Sequence, residues 1–109
     1  MTPAPQSFEA EQEVLATCLI APENVPWLAA QLEVTDFWIG QHRTLWALFT
    51  ECQQKHSTVD VVLVKQLACD TGRWEECGGT RVISQVMDRS GLSTHAGRYV
   101  SILKDKALQ

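Results

Sequence analysis

The sequence predicts an all-α fold, a compact bundle of about six helices. Apolar residues recur three and four residues apart along most of the 109-residue chain, as on the buried face of an amphipathic helix. Capping residues, glycines and prolines separate these segments, and the loops between them are short. The apolar content of 45% and the absence of repeats or low-complexity stretches are typical of one globular domain that folds alone.

The N-terminal part is predicted to hold an arm and two helices. Residues 1–6 contain two prolines and no apolar period, so they are expected to form a flexible arm ahead of a helical body over residues 7–109. Ser7 is the predicted N-cap of a helix from Phe8 to Ile20, whose first turns carry glutamates that the helix dipole favours. After the break at Ala21 and Pro22, a shorter helix is predicted from Glu23 to Leu32.

The middle of the chain holds a connector and the clearest amphipathic pattern. Residues 34–40 are rich in large apolar side chains and are expected to pack against the core. A central helix is predicted from Gln41 to His56, with an apolar stripe formed by Leu45, Leu48, Phe49 and Cys52. His42 is the first candidate for a functional histidine, although a buried, hydrogen-bonded histidine is the favoured interpretation.

Three further helices are predicted after this central one. The run Val61 to Val64 is β-branched enough for a strand, but Asp60 as N-cap and Gly72 as a stop favour a helix. Residues 72–79 are predicted to form a loop, in which Gly78 and Gly79 allow a tight backbone turn. The remaining two helices are expected over residues 80–90 and 95–108.

Motifs for catalysis and metal binding are absent or weak. The sequence lacks the Gly-Lys-Ser/Thr ending of a P-loop and lacks a dinucleotide-binding glycine fingerprint, so no catalytic or cofactor-binding residue is predicted. A zinc site would have to use Cys52, His56, Cys69 and Cys77. These have no Cys-x2-Cys pair, and all four cysteines of the chain are instead expected to be reduced thiols that fill the core. Without a signal peptide or a long apolar run, the expected location is cytoplasmic, with no membrane contact.

Charge and aromatic residues indicate contact with other proteins. The net charge of −4 disfavours general nucleic-acid binding. Residues 1–54 carry one base and seven acids, whereas residues 55–109 carry eight bases and six acids. This asymmetry suits self-association or an asymmetric partner, but it is also explained by two solvated faces. Trp46 and Trp27 are expected in the core. Trp38 and Trp74 lie in loops, where they would either anchor a partner or cover a small core.

Several short motifs follow one another in order along the chain. The first matching pieces are PQSFEAEQ at residues 5–12, Val14-Leu15, the break APE at residues 21–23, and DFW at residues 36–38 with His42 five residues beyond Phe37. The later pieces are Val59-Asp60 at a helix start, GRWEECGG at residues 72–79, and KDKAL at residues 104–108. No single piece is specific, but the ordered set covers nearly the whole chain. It resembles the N-terminal domain of DnaB-type replicative DNA helicases from bacteria and phages.

This resemblance implies a helical domain that helps a hexameric ring assemble and docks primase, and in some systems a helicase loader. The ATP- and Mg-dependent motor that unwinds DNA 5′ to 3′, and that contacts DNA, would lie in a C-terminal RecA-like domain, which is expected to be absent from this chain together with most of a helical hairpin. The candidate partner-binding residues are Trp38, Arg73 and Trp74. The candidate structural residues of the family motifs are Glu9, Glu11, Asp36, Phe37, His42, Asp60, Gly78 and Gly79.

Two alternatives remain open at this level. The helicase-binding domain of a primase is expected to have a similar helical fold. A helix-turn-helix DNA-binding module would use the last two predicted helices with Arg81, Arg89 and Arg98, although the acidic net charge weighs against it. The isolated chain is expected to be a monomer or a weak dimer.

Overall fold

The computed structural model describes residues 5–89 and Lys104, with side chains from Phe8 onward. Over these residues the protein is all-helical, which confirms the predicted fold class. The helices are α1 (Pro5–Ile20), α2 (Val25–Gln31), α3 (Gly40–His56), α4 (Val61–Asp70) and α5 (Gly79–Arg89). Two single 3-10 turns, Pro22–Asn24 and Val34–Asp36, precede α2 and α3 respectively. Lys104 is helical, but the rest of the sixth predicted helix, residues 95–108, lies outside the described residues.

Helix α1 is enclosed by its neighbours. It packs against both α3 and α5, and every residue from Ala10 to Ala16 is buried, including the polar run of Glu11, Gln12 and Glu13. Buried polar groups need partners. Arg89 of α5 supplies two of them, donating from Nε to the Gln12 side chain and from Nη1 to Glu13 Oε1 at 3.2 Å. Helix α1 is therefore the central element of the described bundle.

The core continues from α1 through α2, α3 and α4. Helix α3 packs against α1, α2 and α4. Its stripe of Leu45, Leu48, Phe49 and Cys52 is buried as predicted, as is Trp46. The largest fully buried side chains are Trp46, Phe37, Phe49, Leu15, Leu28, Leu45, Leu48, His42, Glu11, Val14 and Val25.

Several predicted helix ends were misplaced. Helix α1 begins at Pro5, so Ser7 is not its N-cap, and proline suits the first helical turn because its missing N–H would have no partner there. Residues 5 and 6 are thus helical, and residues 1–4 of the predicted arm lie outside the described residues. The segment predicted as one helix from Glu23 divides into a 3-10 turn and α2. The β-branched run at Val61 to Val64 is helical, as preferred over a strand.

Three predicted burials were wrong. Trp27 is 49% exposed because α2 buries Val25 and Leu28, and Trp27 falls outside that face. Cys69 is exposed beside the buried Ala68, so only Cys18, Cys52 and Cys77 are core thiols. In the connector, Phe37 is buried as expected, but Val34 is 39% exposed.

No helix in the described part of the chain is long and apolar enough to cross a membrane.

Candidate functional site

A buried carboxylate holds the connector between α2 and α3 in place. Glu11 is fully buried, and its carboxylate accepts hydrogen bonds from the backbone N–H groups of Trp38 at 2.8 Å and Ile39 at 3.3 Å. These amides lie just before the first turn of α3, where the helix dipole favours negative charge. Glu11 therefore acts on α3 as a capping group supplied by another helix, and it joins segments that are 27 residues apart in sequence.

His42 completes this centre from the first turn of α3. Its Nδ1 lies 2.8 Å from Glu11 Oε1, and its side chain is 2% exposed. Because an ionised carboxylate can only accept hydrogen bonds, Nδ1 carries a proton in this pair. The Phe8 ring stands 5.5 Å from the imidazole and helps to shield it from water. His42 is thus a buried, hydrogen-bonded histidine, which was the favoured interpretation from the sequence.

Asp36 holds the other end of the connector. Its Oδ2 accepts hydrogen bonds from the Glu33 backbone N–H and from Lys104 Nζ, both at 2.7 Å. The Asp36 side chain is 8% exposed, whereas that of Lys104 is 44% exposed. The following residue, Phe37, packs its ring 5.4 Å from the Trp46 ring. The candidate structural residues Glu11, Asp36, Phe37 and His42 therefore meet around one connector, and we call this cluster the polar centre.

The other candidate structural residues lie elsewhere. Asp60 caps α4, since its Oδ1 accepts from the N–H groups of Val62 at 2.8 Å and Leu63 at 3.3 Å. Gly78 and Gly79 have φ values of 93° and 60° in the turn between α4 and α5. A Cβ at Gly78 would overlap the Val82 side chain, so glycine is required there on two grounds. Glu9 is exposed on α1 and takes no part in the polar centre.

The three candidate partner-binding residues are held by different contacts. Trp38 is half-buried, and its backbone is fixed by Glu11. Trp74 packs against the core and lies under Lys65, whose Nζ is 5.5 Å from the ring centroid, so it serves in part as a cover for the core. Arg73 donates from Nη1 and Nη2 to the two carboxylate oxygens of Glu51, at 2.6 and 2.9 Å. Their role in partner binding remains a prediction.

The charge state of the Arg73–Glu51 pair follows from this contact. The hydrogen bonds from Arg73 lower the pKa of Glu51, with burial opposing the shift. The same contact raises the pKa of Arg73. Both side chains remain partly exposed, at 23% for Arg73 and 45% for Glu51, so solvent screens the pair.

Of the three cysteines that a zinc site would have used, Cys52 and Cys77 are buried and Cys69 is exposed. The Cys52 thiol donates to the Thr58 carbonyl at 3.3 Å, and the Cys77 thiol donates to the Trp74 carbonyl at 3.1 Å. Burial raises the pKa of both, and it raises the pKa of Cys18 to about 12. Over the described residues, no three His, Cys, Asp or Glu side chains are grouped closely enough to hold a metal ion.

A surface groove next to the connector was not predicted from the sequence. It has a volume of about 360 Å³ and lies between the connector, the first half of α3 and the turn before α5. We call it the connector groove; its lining residues are Val34, Gly40, Arg43, Thr44, Ala47, Arg73 and Glu76. Of the candidate partner-binding residues, Arg73 lines it and the two tryptophans do not. Arg43 was missed, although it is the one base in the first 54 residues and was distinctive for that reason.

Comparison with known proteins gives a consistent result. Residues 3–105 match the family model described as the DnaB-like helicase N terminal domain. The chain is 28% identical to the replicative DNA helicase DnaB of Rhodothermus marinus over 105 residues, which are 96% of this chain and 11% of that protein. It is 24% identical to DnaB of Haemophilus influenzae over 104 residues, which are 95% of this chain and 22% of that protein.

Among solved structures, the N-terminal domain of DnaB helicase from Mycobacterium tuberculosis has a TM-score of 0.85 with this chain. The match covers 97% of this chain and 74% of that one, at 24% identity, and it shows that the fold is shared. The chain spans between a tenth and a quarter of the length of the helicases named above. Since the family model covers almost all of the sequence and the fold agrees, the chain belongs to the DnaB-like helicase N-terminal domain family.

Proposed function

We propose that this chain is the assembly and partner-docking domain of a replicative DNA helicase, acting in DNA replication in the cytoplasm of a bacterial cell or phage-infected host. The observation that carries the proposal is the family match over residues 3–105. The structure supports it because Glu11, Asp36, Phe37 and His42 contact one another or the backbone and hold the shape of the domain. A rigid helical domain is suited to present fixed surfaces to other proteins.

Primase, a helicase loader and the same domain of neighbouring subunits in a hexameric ring are the partners that we propose. ATP and Mg binding, and 5′ to 3′ unwinding of DNA, would belong to another part of the parent protein. The relatives are replicative helicases of which this chain matches only a small part, and the chain carries no P-loop sequence. DNA would likewise contact that other part.

The alternatives have less support. The relatives named above are replicative helicases, which favours the helicase over the helicase-binding domain of a primase. A helix-turn-helix module would need the predicted helix over residues 95–108, most of which lies outside the described residues. The net charge of −4 also argues against phosphate-backbone binding by this chain.

Three tests bear on the proposal. The gene beyond Gln109 should encode a P-loop ATPase region after a linker, and a gene without one would overturn the helicase assignment. The parent protein should form a hexamer and bind the primase of the same genome in size-exclusion chromatography with light scattering. Deleting residues 1–109 should weaken primase binding or ring assembly while ATP hydrolysis persists. If both survive the deletion unchanged, the domain has neither role.

A further inference from the structure

We propose that the connector groove binds a segment of a partner protein in which one carboxylate lies beside an aliphatic side chain. This inference rests on the proposed docking function and names the surface and the chemistry that the partner must supply. Three features of the groove carry it: a pre-oriented guanidinium, a wall fixed by an ion pair, and an apolar lining.

Arg43 is the pre-oriented cation. It lies in the first turn of α3, and its Nε donates a hydrogen bond to the carbonyl oxygen of Phe37. Phe37 itself is buried in the core, so the guanidinium is anchored to a rigid part of the fold. The two terminal amino groups of Arg43 donate to no residue in the part of the chain that the structure describes, and Arg43 forms no ion pair there. They therefore present two parallel N–H donors, the geometry that a carboxylate accepts.

Arg73, the other arginine of the groove, has a different state. Glu51 accepts one hydrogen bond from each Nη atom, and Thr71 Oγ1 accepts one from Nε at 2.9 Å. Three of its five N–H groups are therefore bound to groups of this chain, and its charge is balanced by Glu51. Arg73 forms a wall of the groove, and Arg43 is left as the cation available to a ligand.

Glu76 limits how much negative charge the groove accepts. It is exposed and lines the same cavity. A ligand with one carboxylate can pair with Arg43, whereas a run of acids would bring a second carboxylate close to Glu76 and be repelled. The charges of the groove therefore favour a ligand with a single carboxylate over a polyanion, such as a run of acidic residues or a nucleic-acid backbone.

The apolar lining defines the second part of the ligand. Val34 is 39% exposed, and Ala47 and Gly40 add small surfaces beside it. An aliphatic side chain that covers Val34 removes apolar surface from water on both partners, which favours binding. A leucine or isoleucine next to a glutamate or aspartate satisfies both halves of the groove.

The test uses the ¹⁵N-labelled 109-residue chain and two capped peptides that differ only in charge. These are acetyl-Leu-Glu-Ala-Leu-amide and acetyl-Leu-Gln-Ala-Leu-amide. We expect the glutamate peptide to shift the Arg43 Nε–H signal and the amide signals of Gly40 and Ala47 in NMR titrations. The glutamine peptide should bind about two- to fivefold more weakly, because it lacks the exposed charge pair between the peptide glutamate and Arg43. Equal affinities, or shifts only outside the groove, would overturn the proposal.

Variants separate the contribution of charge from that of shape. Arg43→Gln should abolish the preference for glutamate, and Glu76→Gln should strengthen glutamate-peptide binding about twofold while leaving Arg43 and its anchor intact. Ala47→Leu should fill the groove and weaken both peptides. Arg81→Gln removes an exposed base of α5 outside the groove and should change nothing. If Arg43→Gln does not fold, the Glu76→Gln and Ala47→Leu variants test the proposal instead. Unchanged peptide binding in both of these variants would contradict it.

The same experiment distinguishes other outcomes. Concentration-dependent shifts of the groove signals without peptide would mean that a second copy of this chain occupies it, which would overturn the choice of occupant. If the peptides bind but the parent protein fails to bind primase, the groove stands and the primase assignment fails. If primase binds as strongly to the Ala47→Leu parent protein and the peptides do not bind, docking stands and the groove proposal fails.

Discussion

Two side-chain pairs, each with one glutamate, join α3 to distant parts of the chain, and they differ in burial. Glu11 and His42 form a pair whose side chains are at most 2% exposed, whereas Arg73 and Glu51 are 23% and 45% exposed. Both pairs are short, at 2.8 and 2.6 Å respectively. Distance alone would rank them as equals, but one pair is exposed to solvent and the other is buried.

This difference determines what each pair does for the fold. Removing either member of the buried pair leaves its partner without water to replace the lost bond, and removing Glu11 also leaves two backbone amides without their acceptor. Removing one member of the exposed pair leaves a charge that water solvates at once. We infer that the polar centre determines the shape of the connector, while the turn before α5 depends on its backbone conformation more than on its ion pair.

The largest effect is expected from Glu11→Ala. It leaves the Trp38 and Ile39 amides and the His42 ring without their acceptor and should lower the free energy of unfolding by about 3–5 kcal/mol. Urea denaturation followed by circular dichroism at pH 7 measures it. Glu9→Ala, on the same helix but exposed, is the matched control and should change the free energy by less than about 0.5 kcal/mol. Similar values for the two variants would contradict the assigned role of Glu11.

The next effect tests the backbone of the turn before α5. Gly78→Ala combines a φ of 93° with an overlap between the new Cβ and the Val82 side chain, and it should cost about 2–4 kcal/mol. Gly72→Ala has a φ of 71° but open space around the Cβ, so it should cost only about 1–2 kcal/mol. Thermal and urea unfolding of both variants measure the difference. A Gly78 variant no worse than the Gly72 variant would show that the turn adapts.

A smaller loss is expected from His42→Leu. The apolar side chain keeps most of the volume but removes the donor at Glu11 Oε1, while the two backbone amides still hold the carboxylate. The expected cost is about 1–3 kcal/mol, measured by urea unfolding. His56→Leu replaces an exposed histidine at the end of the same helix and should have little effect. If His42→Leu were neutral, the imidazole would contribute packing alone.

How much of this could be predicted from sequence depends on whether the cause is local. The stripe on α3 and the Asp60 cap of α4 follow from residues within one or two turns, and the structure confirms both. Trp27 was misplaced because the α-helix begins at Val25, which sets a different face toward the core. Because Pro22 and Pro26 allow more than one helix start in this short segment, its sequence does not determine which face is buried.

The polar centre and the groove have non-local causes. Because Glu11, Gln12 and Glu13 are polar, the sequence pattern alone predicts that they face solvent. They are buried because other helices pack around α1, and the pattern contains no information on those neighbours. The family motifs marked Glu11 and His42 without showing that they touch. Arg43 is held by a hydrogen bond to a carbonyl six residues earlier, at Phe37, a non-helical residue of the connector, and no helical spacing predicts that contact.

The smallest effect is expected at the exposed pair, and it should depend on pH and salt. Arg73→Gln should lower the free energy of unfolding by no more than about 1 kcal/mol at pH 7. Arg73 lowers the pKa of Glu51 in the folded chain, so the pair contributes stability above the ordinary glutamate pKa of 4.5, which is lost as the pH falls through the lowered folded value. The difference between wild type and variant should therefore be present at pH 7, vanish in acid, and shrink in 1 M salt.

Urea unfolding across this pH range, with Arg81→Gln as control, measures the difference in the free energy of unfolding. A loss of several kcal/mol that salt does not reduce would place this pair in the same class as Glu11 and His42, and would remove the distinction between the two regions.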